Sequence, residues 1–241
     1  FGQALTDADL SVQAFVEVAL LARYPQIRFY GEEHHSSLNM KYFNQDSELC
    51  VYLDPVDGTL YYRDNLDKFN IIASICNRKE MLGALCYIPR YDQLFRAEKG
   101  RGAIRFTREQ ALRSAAGTPL ALNTAGRMAI TFAYPETEAR LKDEFQVVDV
   151  AREYTPEKGC INMNGLLLGE CSAVVFKKAG LIDWGAIAFI ASEAGAVASQ
   201  RDGSPLPSID MLRELCYPPV VVGSNAEIHA HVVKLLAKLH K

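Results

Sequence analysis

Leu49-Cys50-Val51-Tyr52-Leu53-Asp54-Pro55-Val56-Asp57-Gly58-Thr59 is an apolar run that ends in two carboxylates three residues apart. A proline divides them and Gly-Thr follows at once. Leu49 to Leu53 reads as a buried strand, because it is continuously apolar and rich in β-formers. Pro55 lacks an N–H and has a fixed φ, so the strand is expected to stop there. The bend then lets Asp54 and Asp57 project into one space at the strand's carboxyl end, where α/β proteins place ligands. Gly58-Thr59 opens a helical segment whose N–H groups and positive dipole end suit a phosphate. Two carboxylates beside an anion repel it unless cations lie between, so divalent metals plus a phosphate ester is the economical reading. A plain Asp-Pro/Asp-Gly surface turn is the competing one. A calcium loop fits poorly, since the alternating Asp-x-Asp-x-Asp-Gly spacing is missing.

The rest of the chain bounds the possibilities. With 241 residues and 49% hydrophobic content there is material for one large domain or two packed halves. A net charge of −3 points to no nucleic-acid polymer as partner. No apolar run approaches the roughly 20 residues of a membrane span, and no signal peptide is visible. The six cysteines lie mostly in apolar runs without a C-x-x-C pair. They read as reduced core residues of a cytoplasmic protein.

In chain order, Thr6 and Asp9 have capping-box spacing, and Leu10, Ala14, Val18 and Leu21 are expected to form the helix's buried face. Taken alone, Asp9 is a first-turn acid favoured by the helix dipole. Ile27 to Tyr30 reads as a strand running into Gly31-Glu32-Glu33-His34-His35, whose histidines read as loop residues. Residues 36–48 form an irregular, flexible flap. Asn70–Asn77 and Met81–Ile88 make a hairpin, and Gln93–Ala97 a third strand. Polar residues 107–126 are the expected seam between halves at 1–115 and 116–241. Met128–Ala133 reads as a strand, Glu136–Phe145 as a helix, and Gly159-Cys160-Ile161-Asn162 leads into an apolar helix. Lys177-Lys178 forms a basic corner. Asp183 opens a strong helix bearing Ile187, Ile190, Ala191 and Ala194. Ser224 and Glu227 are expected to cap the last helix, with Ile228, Val232, Leu235, Leu236 and Leu239 inward.

Together, Thr6-x-x-Asp9, Gly31-Glu32-Glu33, Asp54-Pro-Val-Asp57-Gly-Thr59 and Asp183-Trp-Gly-Ala through Glu193-Ala-Gly resemble the inositol monophosphatase family of metal-dependent phosphatases. The resemblance implies an α/β-type α+β fold of alternating helix layers and mixed sheets, α-β-α-β-α, here without the family's usual first helix. It implies Mg²⁺, two or three ions, and hydrolysis of a phosphate monoester. Glu32, Asp54 and the Val56 carbonyl would hold one ion; Asp54, Asp57 and Asp183 a second. Glu32, Thr59 and Asp9 would be catalytic, with the Thr59 hydroxyl paired to Asp9 beside the attacking water. Asp57, Gly58, Thr59, Gly159, Cys160, Ile161, Lys178 and Asp183 would meet phosphate and substrate. A homodimer is the implied assembly and a small phosphate ester the ligand.

Departures from the family's pattern concern the alcohol. Ile182 stands where the family has Trp, Leu60-Tyr61-Tyr62 continues the central motif unusually, and Phe176-Lys177-Lys178 occupies the corner where inositol-specific members carry a sugar-binding Glu. Histidinol phosphate, fructose 1,6-bisphosphate and 3′-phosphoadenosine 5′-phosphate are therefore alternative substrates, and a non-catalytic phosphate-binding relative an alternative role. Haloacid dehalogenase-type chemistry is disfavoured, because its two acids stand two apart, not three.

Overall fold

The computed structural model describes residues 5–132 and 134–237. Seven strands form the first sheet in sequence order: β1 (Arg28–Gly31), β2 (Cys50–Asp57), β3 (Asn70–Cys76), β4 (Met81–Ile88), β5 (Gln93–Glu98), β6 (Gly102–Thr107) and β7 (Thr118–Pro119). Only β1 and β2 run parallel. The second sheet contains β8 (Met128–Thr131), β9 (Gln146–Asp149), β10 (Ala173–Phe176), β12 (Val197–Gln200) and β14 (Val220–Gly223), in the order β12-β14-β10-β8-β9. A two-stranded ladder of β11 (Ala179–Gly180) and β13 (Cys216–Tyr217) stands beside it. The helices are α1 (Asp7–Arg23), α2 (Thr59–Arg63), α3 (Arg108–Leu112), α4 (Pro135–Leu141), α5 (Val150–Glu153), α6 (Gly165–Leu168), α7 (Ala186–Glu193) and α8 (Ala226–Ala237). None is long and apolar enough to cross a membrane.

Strand alternation sorts these elements into layers. Phe29 and Leu53 face α1, packing with Val16, Leu20 and Leu21. Cys50, Tyr52 and Ile72 point the other way, into a core shared with Ile187, Ile190 and Ala191 of α7. That core also takes Ile130, Val174, Val220 and Val222 from the second sheet. The sheet's far side, Ala129, Ala173, Val175 and Val221, packs on Leu141 of α4 and Ile228, Val232, Leu235 and Leu236 of α8. The order is therefore helix, sheet, helix, sheet, helix, as the resemblance implied.

Five local expectations are corrected. β2 does not stop at Pro55 but continues to Asp57. The buried face of α1 is polar: Asp9, Gln13 and Glu17 point inward, whereas Leu10 and Val18 are 37% and 59% exposed. The reason is the loop beneath. Gln13 Oε1 accepts from Glu33 N at 3.0 Å, Gln13 Nε2 donates to Glu17 Oε1 at 3.0 Å, and Glu17 Oε2 accepts from Asn39 Nδ2 at 2.9 Å. A loop packed under a helix needs its polar groups satisfied, so polar side chains win those positions. Residues 36–48 are anchored, because Phe43 is buried and stacks on Phe29 with ring centroids 4.9 Å apart. Asn225, not Ser224, caps α8: its Oδ1 accepts from Ile228 N at 2.8 Å, while Ser224 Oγ donates to Asn123 O. α4 ends at Leu141, short of the expected Phe145. Ala133 and Leu239 lie outside the described residues.

Glu193 at the end of α7 joins the central helix layer to the first sheet. Its two carboxylate oxygens accept from Gly100 N and Gly102 N, each at 3.0 Å, in the turn between β5 and β6. Both glycines have positive φ, so both N–H groups can face the helix. Glu193→Ala should cost about 1–3 kcal/mol, as hydrogen bonds to a charged group do. For a chain of this size that lowers the thermal midpoint by roughly 2–12 °C, measurable by calorimetry.

Candidate active site

A one-residue bulge builds the site. Asp54 pairs with Ile72 across the sheet, but Asp57 pairs with Asn70, so three steps along β2 match two along β3. Residues three apart on a regular strand face opposite sides; the extra residue returns Asp57 to the side of Asp54. Pro55 and Val56 occupy the bulge, and Pro55 has no N–H to leave unpaired. Asp54 Oδ1 accepts from Val56 N at 3.1 Å, which ties the bulge to its own first acid. Gly58 follows with φ +80°, and a Cβ there would lie 3.1 Å from Lys68 O. Only glycine makes that left-handed turn at no steric cost.

The other acids converge from neighbouring elements. Gly31-Glu32-Glu33 ends β1, parallel to β2, with Glu32 N donating to Leu53 O at 2.9 Å. A Cβ at Gly31 would meet Gln13 Oε1 at 2.1 Å, so any larger residue would displace the amide by which α1 grips the loop. His34 Nδ1 lies 3.2 Å from both Gly31 O and Glu32 O and steadies the turn, as a loop residue. Asp183 sits in a π turn, Leu181–Gly185, ahead of α7. Its Oδ1 is buried without a hydrogen-bond partner, and a Cβ at Gly180 would stand 2.5 Å from it.

A cavity of about 440 Å³ opens here, lined by Glu32, Asp57, Gly58, Thr59, Asn162, Met163, Lys178 and Asp183. Asp54 lies buried. Asp57 and Asp183 keep some surface on the cavity and are otherwise enclosed by protein. Burial pushes the Asp54 carboxyl well above the usual range, with Glu32, Asp57 and Asp183 adding to the rise. Burial and then Asp183 push Asp57 to about 7, against the lowering effect of Asn70. Burial raises Asp183 to about 6, tempered by backbone N–H groups. Among the described residues, no three His, Cys, Asp or Glu side chains enclose a single point as a closed cation site. The donor chemistry nonetheless fits hard divalent cations. The carboxylates crowd one another, and Asp183 Oδ1 lacks a partner.

Two asparagines complete the site, and the sequence reading missed them. Asn70 Nδ2 donates to Asp57 Oδ2, and Asn164 Nδ2 donates to Asn70 Oδ1 at 3.0 Å. The Asn164–Asn70 bond joins residues 94 positions apart, and both asparagines are fully buried. The available signal was polar Asn162 and Asn164 within an otherwise apolar segment.

Other expected site residues are placed differently. Gly159, Cys160 and Ile161 do not line the cavity. Cys160 Sγ is 3.3 Å from Tyr61 OH, and a Cβ at Gly159 would press on the Tyr61 ring at 3.2 Å. They back Tyr61, and Asn162 and Met163 take the cavity wall. The expected bond between Thr59 and Asp9 is not formed. Thr59 Oγ1 donates to Val56 O at 3.0 Å, and Asp9 Oδ2 accepts from Thr6 N and Thr6 Oγ1 in a capping box. Asp9 Oδ1 is buried without a partner. Asp9 stands beside the site: neighbouring Ala8 packs on Val56, Tyr61 and Phe69, and the Asp9 charge helps raise the Glu33 carboxyl after burial and Glu32.

The inositol monophosphatase family model matches residues 2–241. An inositol monophosphatase of Dictyostelium discoideum is 32% identical over 99 residues, covering 41% of this chain and 35% of that protein. Protein x of the quinic acid degradation cluster of Neurospora crassa is 34% identical over 103 residues, covering 41% and 30%. These matches span about a third of the relatives' length. Among solved structures, an IMPase of Thermotoga maritima superposes with a TM-score of 0.74 at 16% identity, covering 99% of this chain and 85% of that one.

Folded Asp57 holds its proton to about pH 7, against a reference of 3.8, and Asp54 and Asp183 are raised too. The native chain thus binds more protons than the unfolded chain in that window, and the cation-free fold gains stability as pH falls through it. A bound divalent cation favours the ionised acids, so the stabilisation it gives should be greater at pH 8 than at pH 5. At a hundredfold excess over Kd that stabilisation is about 2.7 kcal/mol, or roughly 5–11 °C by thermal unfolding. Asn70→Leu should raise the cation concentration needed for half the shift by about 10–100-fold, the usual effect of losing a ligand's hydrogen-bond partner.

Proposed function

Because the chain belongs to the inositol monophosphatase family, we propose that it is a Mg²⁺-dependent phosphoric monoester hydrolase acting on a small polyol or sugar phosphate. The observation that carries the reading is the bulge that turns Asp54 and Asp57 to one side, beside Glu32 and Asp183. Four gathered acids would be a poor way to bind an anion unless cations joined them. Glu32, Asp54, the Val56 carbonyl oxygen, Asp57 and Asp183 would hold two or three Mg²⁺ ions, whose preference is for hard oxygen donors. The chemistry supplied on binding would be polarisation of the phosphoryl group, acidification of a water molecule and stabilisation of the departing alkoxide.

The chain's own residues do the positioning. Asn164 fixes the Asn70 amide, which fixes Asp57 Oδ2 and leaves its other oxygen for the cavity. The first turn of α2 has N–H groups without intrahelical partners, and Gly58 lets the backbone approach a phosphate closely. The Thr59 hydroxyl donates to the Val56 carbonyl in the present arrangement. Turned toward Asp9 Oδ1, the buried acceptor left unpartnered, it would free that carbonyl and keep its lone pairs for a water's proton. Asp9, held through Thr6 at its other oxygen, would be the end point of that proton's path.

Phosphate release from inositol 1-phosphate should depend on Mg²⁺ and stop with a chelator, and Asp54→Asn should reduce it to background while the fold persists. Near wild-type turnover of Asp54→Asn at saturating Mg²⁺ would sink the cation assignment. A double-mutant cycle tests the proton path. Thr59→Ala and Asp9→Asn should each lower kcat by about 10²–10⁴, the usual worth of general-base assistance, with little change in KM. The double variant should be hardly worse than either single one, because residues acting as a unit are non-additive. Multiplicative losses would leave Asp9 as a capping acid only.

A further inference from the structure

The acid-lined cavity does not end at the acids. Phe132, Lys178, Gly180 and Asp183 line both it and a second, larger cavity of about 1080 Å³. That second space is also lined by Lys177 and Arg213, and Glu214 is its one acid beyond Asp183. Lys178 Nζ meets Glu214 Oε2 at 3.2 Å, whereas Lys177 and Arg213 make no ion pair among the described residues. Two cations are left over in a cavity contiguous with the place where a phosphate ester would react.

The backbone holds these cations deliberately. Cys216 N donates to Arg213 O at 2.9 Å, and the two residues between, Glu214 and Leu215, have φ of +52° and +53°. That is a tight turn of the kind normally made by Asn-Gly, here formed by residues with large side chains. Non-glycine residues in the left-handed region are uncommon and persist where the surroundings impose them. The surroundings here are the β11–β13 ladder, pairing Ala179 with Tyr217 and Gly180 with Cys216, and the bond from Leu181 N to Leu215 O at 2.8 Å. The ladder thus brings the turn that carries Arg213 and the Lys177-Lys178 corner to the same cavity.

A neutral polyol offers hydroxyls, which carboxylates and amides recognise as well as cations do. Unpaired Lys and Arg in a cleft instead favour negative charge, and Arg offers a fork suited to phosphate or carboxylate. We propose that the second cavity is a subsite for a second anionic group, a phosphate or carboxylate carried by the alcohol part of the substrate. The proposal rests on the phosphatase reading of the adjoining acids, and it makes the substrate a dianionic or polyanionic ester in place of a plain polyol phosphate.

Two matched pairs test it: inositol 1-phosphate against inositol 1,4-bisphosphate, and glycerol 3-phosphate against 3-phosphoglycerate. With Mg²⁺, kcat/KM should favour the second member of at least one pair by about tenfold or more, chiefly through KM, as a hydrogen bond to a charged group is worth. The pair that shows it tells phosphate from carboxylate. In Lys177→Ala/Arg213→Ala the ratio should fall to within about twofold of one, and raising the salt should weaken it in wild type. Both substitutions are at exposed side chains, and circular dichroism checks the fold. Equal kcat/KM within both pairs in wild type, or a preference that survives in the double variant, overturns the subsite. Calorimetric binding of the same four esters with Ca²⁺ in place of Mg²⁺ separates this from the parent reading. Retained, Lys177/Arg213-dependent discrimination without any hydrolysis would overturn the phosphatase and leave the subsite standing.

Discussion

Repulsion among buried carboxylates is the constraint around which this protein is built. Burial first, and the charges of neighbouring acids after it, push the carboxyls of Asp54, Asp57 and Asp183 up, and among the described residues no cationic side chain offsets those rises. A chain folding for stability alone would not gather them. They are held by structure that over-determines their positions: a bulge, two glycines without room for a Cβ, a π turn, and an asparagine pair. Each device restricts a carboxylate's freedom before any ligand arrives, so the ordering entropy is spent in folding and not at binding.

The same constraint explains the polar underside of α1. Gln13 accepts from the Glu33 backbone N–H in the loop beneath, and Glu17 accepts from the Gln13 and Asn39 side-chain amides. Apolar side chains in those positions would bury more surface but leave the loop's donors unpaired, at a cost of about 1–3 kcal/mol each. The helix therefore turns its hydrogen-bonding side inward and leaves Leu10, Phe15 and Val18 on its outer side. Asp9 belongs to that inward row too, which brings a capping acid to the edge of the reactive space.

Across the cavity the charge changes sign. Acids on β1, β2 and the π turn give way to Lys177, Lys178 and Arg213 on and around the β11–β13 ladder, with Asp183 and Gly180 at the boundary. One end is suited to cations with a phosphoryl group, the other to an anion. Such a gradient orients an elongated ester in a single sense, because reversing it would set like charges together.

The sequence by itself determined the acids and the layers. Asp54-Pro-Val-Asp57-Gly-Thr, a surface turn as readily as a cation site when taken alone, gained its reading from the company of Glu32, Asp9 and Asp183, and strand alternation with α7 and α8 periodicity placed the core. Local rules also gave Thr6 and Asp9 as a capping box. Only the tertiary structure decided which side of α1 is buried, since hydrophobic periodicity assumes an apolar neighbour and the neighbour is a polar loop. It also decided that β2 passes through Pro55, because a bulge is a register difference between two strands and no single strand encodes it. The Asn164–Asn70–Asp57 chain, the seating of Gly159 to Ile161 behind Tyr61, and the convergence of Arg213 with Lys177 join residues far apart in sequence, 99 positions for Tyr61 and Cys160. Contacts of that kind depend on how sheets and turns are registered against each other, which local spacing does not carry.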